Sequence, residues 1–219
     1  MKILWLTILM TLPAAALGEA DVADIEKVNG SIEVEADQRA GDVSTVNGSI
    51  RINSGAIVEE AETVNGSITL GERGAAESLE TVNGRISMET GAHVTEDVQT
   101  VNGAVNLARD AEVRGGVGTV NGDITLAAAR VAGGIRTNQG DIEVGAGSRV
   151  EGGIRVEKAK GFNLALWKDT PKVVIGPGAV VDGTLEFERE VELYVSETAT
   201  IGEVKGATAV RYSGDEPGD

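Results

Sequence analysis

TVNGSITL, residues 63–70, is one copy of a phrase that returns along the chain at an almost constant interval. Centred on Val-Asn-Gly, the copies are Val28-Asn29-Gly30, Val46-Asn47-Gly48, Val64-Asn65-Gly66, Val82-Asn83-Gly84, Val101-Asn102-Gly103 and Val120-Asn121-Gly122. A worn seventh follows at Asn138-Gln139-Gly140, and the successive steps are 18, 18, 18, 19, 19 and 18 residues. A period this short and regular marks a solenoid, whose turns bury their apolar faces only by stacking on one another.

The columns around the motif say which kind. Two residues beyond each glycine stands Ile32, Ile50, Ile68, Ile86, Val105, Ile124 or Ile142, and two further on Val34, Ile52, Leu70, Met88, Leu107, Leu126 or Val144. The residues between them are polar in every copy, which is strand alternation with one face inward. A second apolar column, Ile25, Val43, Ala61, Leu79, Val98, Val117 and Ile135, lies three residues before the motif. Its odd offset from the first column requires a bend, so Val-Asn-Gly is read as a corner. Asn and Gly tolerate positive φ, and Asn can bond neighbouring backbone with its amide. The corner residues are therefore Asn29, Gly30, Asn47, Gly48, Asn65, Gly66, Asn83, Gly84, Asn102, Gly103, Asn121 and Gly122. The expected fold is all-β: a single-stranded parallel β-helix, right-handed, with 18–19 residues per coil and a ladder of stacked asparagines.

Composition narrows the partners. Thirty-five acidic against 19 basic residues give a formal net charge of −16, which opposes binding to nucleic-acid phosphates or anionic membranes. There is no cysteine, so packing and backbone hydrogen bonds must carry stability. Residues 1–20, MKILWLTILMTLPAAALGEA, read as a secretory signal, too short for a comfortable membrane span of about 20 apolar residues. Export is expected, with no stable membrane span after cleavage.

Residues 21–160 form the Val-Asn-Gly solenoid and residues 161–172 interrupt it. Coils resume in a different dialect over residues 173–212, as in Ala179-Val180-Val181-Asp182-Gly183-Thr184-Leu185, and a polar tail, 213–219, is expected to be disordered. The VNGSI repeats resemble the adhesin-like β-solenoid domains of bacterial exported proteins. Residues 173–207 resemble the bactofilins, polymer-forming cytoskeletal proteins with a right-handed β-helix. The resemblance implies a bacterial periplasmic or cell-surface protein that self-associates, with cell-envelope components as further partners.

Candidate chemistry is sparse. His93 is the only histidine and falls at an expected loop, which rules out a multi-histidine metal site. Asp123 and Asp141 share a column one coil apart and are the best carboxylate pair for a polysaccharide-cleaving β-helix. Asn29-Gly30-Ser31, Asn47-Gly48-Ser49 and Asn65-Gly66-Ser67 match the glycosylation sequon, yet later copies drop the serine and keep Asn-Gly. No catalytic residue, cofactor or metal is assigned. The aromatics gather in the last third of the chain, where Phe162, Trp167 and Tyr194 make a candidate contact surface. The expected function is a non-enzymatic structural or adhesive scaffold that assembles end to end. The first coil would leave its edge open, and Ala207–Tyr212 would cover the other end.

Overall fold

The computed structural model describes residues 22–158 and 170–218. The strands wind into a β-solenoid of about nine turns with about 19 residues per coil, and the described residues contain no helix. Three parallel sheets make its sides. The first holds ten strands, from Ile25–Asn29 to Val204–Lys205, and the second another ten, from Ile32–Val34 to Ala209–Tyr212. The third holds seven, from Ala75–Ala76 to Thr200–Ile201.

Register is residue for residue: Ile50 pairs Ile68, Ile68 pairs Ile86, and Asn47 pairs Asn65. Each side of a coil sends two side chains inward. In the second coil these are Val43 and Thr45, Ile50 and Ile52, and Ala56 and Val58, all buried. Stacking removes each isoleucine from water, worth about 1.5–3 kcal/mol per side chain. The buried threonine column is polar, yet its need is met locally. Thr45, Thr63, Thr81, Thr100 and Thr119 donate to the carbonyls of Gly30, Gly48, Gly66, Gly84 and Gly103 at 2.9–3.2 Å. Each hydroxyl thus ties a strand to the corner of the coil before it.

Left-handed backbone sits mainly elsewhere than the sequence suggests. Of the six motif glycines only Gly30, at φ +108°, and Gly122, at +155°, fall in that region. The expectation of positive φ is therefore wrong for Gly48, Gly66, Gly84 and Gly103. A Cβ on Gly66 would overlap the carbonyl oxygen of Gly48, and Gly84 and Gly103 stand in the same relation to the corner before them. Glycine is needed there because stacked corners touch. The left-handed column lies at the opposite corner, between the second and third sheets, through Asp37, Gly55, Arg73, Gly91, Asp110, Ala128, Gly147 and Gly178 at φ +52° to +72°. An L-residue held there costs about 1–2 kcal/mol. Ala128→Gly relieves that strain and gives back part of it as unfolded-state entropy. A gain of about 0.5–1 kcal/mol is expected, read as a higher midpoint in urea.

The two ends share a device. In the first coil Lys27 stands in register with buried Thr45, an inward position, and its Nζ donates to Ser31 O at 2.8 Å. In the last strand Arg211 stands in register with buried Val195, and its Nη1 donates to Ser196 O at 2.9 Å and Ala199 O at 3.4 Å. Residues 209–212 do not fold over the end as a separate cover. They continue the second sheet as its tenth strand, and Tyr212 donates its hydroxyl to Ile175 O at 3.3 Å, two strands back.

The interruption enters at one corner. Thr137 pairs Val156 and Ile142 pairs Val173, so a path of five residues in the seventh coil becomes one of 17 in the eighth. The detour occupies the place of Val-Asn-Gly, and register is regained on both sides. Phe162 and Trp167 in this stretch, like the signal at 1–20, lie outside the described residues.

Candidate functional site

The Val-Asn-Gly corner forms a continuous edge along six coils. Asn47, Asn65, Asn83, Asn102 and Asn121 each donate Nδ2 to Oδ1 of the asparagine one coil before, at 2.9–3.1 Å. In the seventh coil Gln139 takes the asparagine's place, and the buried Oδ1 of Asn121 has no hydrogen-bond partner among the described residues. The ladder therefore ends where the motif wears out.

The residue after each corner glycine has a bracing role. Oγ of Ser31, Ser49 and Ser67 accepts the backbone N–H of Ser49, Ser67 and Arg85 at 3.2–3.3 Å. Asp123 Oδ1 accepts the N–H of Asp141 at 2.9 Å, and Asp141 Oδ1 that of Lys172 at 2.8 Å. The candidate catalytic carboxylates thus occupy the serine's place and do its work, one coil apart as expected. This bond also accounts for the serine of the apparent sequons.

His93 lies in the strand His93–Val94 of the third sheet and not in a loop. The position is half-buried because Val94 beside it points into the core, and Nδ1 stands 3.6 Å from Glu112 Oε2 on the next coil. The described residues contain no cluster of three His, Cys, Asp or Glu side chains able to hold a metal ion. Tyr194 lies outward between Val174 and Val210 in register, with Lys172 Nζ 5.2 Å from its ring centre. That row is polar in the earlier coils, at Glu33, Arg51, Thr69, Ser87, Asn106, Thr125 and Glu143, and turns apolar here. Tyr194 lies on this outward row, and Phe162 and Trp167 lie outside the described residues.

The motif valine is the feature that sequence reading missed. Val28, Val46, Val82, Val101 and Val120 all point outward, 38–67% exposed, beside the outward row of the first sheet. Alternation alone carries the signal: the threonine before the valine is inward, so the valine cannot be. Flanking acids crowd this side. Asp42, then burial, then Glu96, Glu80 and Glu77 hold the Glu60 carboxyl above the ordinary carboxylate range. Because its folded-state value is raised, stability at this site rises as pH falls through that range. Glu60→Gln is expected to raise the melting temperature at pH 7, with the advantage shrinking as the wild-type carboxyl becomes protonated. Comparison with known protein families, with curated proteins and with solved structures found no match.

Proposed function

We propose that the protein is a non-enzymatic, exported scaffold, structural or adhesive, that associates with copies of itself in the bacterial envelope. The observation that carries this reading is the bracing role of the carboxylate pair: Asp123 and Asp141 are spent on backbone N–H groups of the next coil. Over the first six coils the asparagine ladder and in-register apolar columns build a long, regular edge. The resemblance of the VNGSI coils to adhesin-like domains, and of residues 173–207 to bactofilins, supports the same reading, as does the signal-like sequence at 1–20.

Two measurements test it. Negative-stain images of the purified protein should show rods that pair or join as concentration rises. Incubation with cell-wall and acidic polysaccharides should leave their chain length unchanged. Glycan shortening that Asp123→Asn abolishes, in a variant that still melts cooperatively, would make the protein an enzyme instead.

A further inference from the structure

Copies could join at the ends or along the sides, and the ends are poorly suited. Lys27 and Arg211 place a cation at an inward position of the terminal strands, where they reach Ser31 O and Ala199 O, carbonyls whose equivalents in the other coils accept the N–H of a neighbouring coil. Inward-pointing charge on an edge strand opposes edge-to-edge pairing.

The outer face of the first sheet is different. Its outward row runs in register through all ten strands, and its charge changes sign along the solenoid. Glu26, Glu62 and Glu80 lie in the first, third and fourth strands, while Arg136, Arg155 and Lys205 lie in the seventh, eighth and tenth. A two-fold axis lying in this face, along the strand direction, would turn a second copy antiparallel and keep each row opposite itself. With the axis between the fifth and sixth strands, strand one meets ten, three meets eight and four meets seven. Every acidic residue just named then faces a basic one. Gln99 meets Gly118 at the centre, and Ser44 meets Glu186 without a like charge.

The neighbouring row places Val101, 40% exposed, against Val120, 39% exposed, on the same axis. Further out, Val64 and Val46 face Glu157 and Glu188, so the apolar contact is central and the outer part is polar. Ten strands about 4.8 Å apart, two to six residues long, present on the order of 600 Å² per copy, somewhat below the roughly 800 Å² of a standard interface. A parallel pairing on this face would instead bring the acidic halves of both copies together. Arg136 is well placed for a new partner: it is exposed, and its ion pair with Glu157 is long, at 4.0 Å.

We propose that the outer face of the first sheet is a self-docking surface on which a second copy lies antiparallel, Glu26, Glu62 and Glu80 of each copy facing Lys205, Arg155 and Arg136 of the other. This deepens the self-association in the reading above and rests on it. In a symmetric dimer each pair occurs twice, so one substitution acts at two places.

Sedimentation velocity of the purified protein across concentration, near 0.15 M salt, tests the proposal. Wild type is expected to show a monomer–dimer equilibrium. Glu80→Arg alone and Arg136→Glu alone should each weaken the dimer about tenfold or more, and the two together should restore it. Val101→Lys, beside the axis, should also weaken it. Circular-dichroism melts of each variant confirm that the outward substitutions leave the coil intact. A dimer indifferent to both single reversals and to Val101→Lys would overturn this face while leaving self-association standing. Single reversals that weaken the dimer without rescue by the double variant would overturn the antiparallel register. A wild-type monomer at every concentration would overturn both the face and the self-association.

Discussion

Gly66→Ala is expected to disrupt the third coil, although alanine is the smallest change a glycine can undergo. The new Cβ would overlap the Gly48 carbonyl oxygen and crowd Gly48 C and Ser49 N, which are backbone atoms held by their own ladders. A flexible side chain could swing aside; stacked backbone cannot. Relief would require prising two coils apart, which breaks the Asn65–Asn47 bond and the Thr63 bond to Gly48 O. A loss of about 3 kcal/mol or more follows, at the upper end for overpacking. Gly118→Ala is the control, since its Cβ would come no nearer than 3.8 Å to Arg136 O. Equal urea midpoints for the two variants would refute the crowded corner.

Ile68→Asp should be more damaging still. Ile68 is fully buried between Ile50 and Ile86, and the polar groups of its own backbone are already engaged in the ladders. A carboxylate there has no cation to meet. It must lose its hydration or take up a proton, at a cost of several kcal/mol. Thr69→Val, one residue on and pointing outward, should be nearly silent. Proteolysis that opens first near the third coil of Ile68→Asp would confirm the inward column, and unchanged protease resistance would refute it.

The inward columns were legible because their chemistry is uniform: Ile68 and Leu70 flank outward Thr69 in one copy, and Ile86 and Met88 flank Ser87 in the next. The asparagine ladder was legible for the same reason. Three features were not. Thr63 is polar and buried, and only the nearby Gly48 carbonyl makes that position inexpensive. Val64 follows it, so an apolar residue faces out at the corner, against its composition but in keeping with alternation. Left-handed backbone falls on Asp37, Arg73, Asp110 and Ala128 interspersed with glycines, and a column so mixed gives no compositional sign of its φ. Of the candidate site, Asp123 and Asp141 were correctly placed one coil apart. Their bonds to the next coil's backbone became visible only with the strands in register.

The detour in the eighth coil carries a lesson for engineering. Twelve residues more than the seventh coil uses leave and rejoin the ladder between Val156 and Val173, yet Ile142 still meets Val173 and Ile154 still meets Leu185. The solenoid accepts extra chain here, past the last intact Val-Asn-Gly, and not at the crowded corners before it. A foreign peptide spliced between Val156 and Val173 would be carried at one fixed distance from either end, about 4.8 Å of rod for every coil between, making the molecule a ruler with a single graduation.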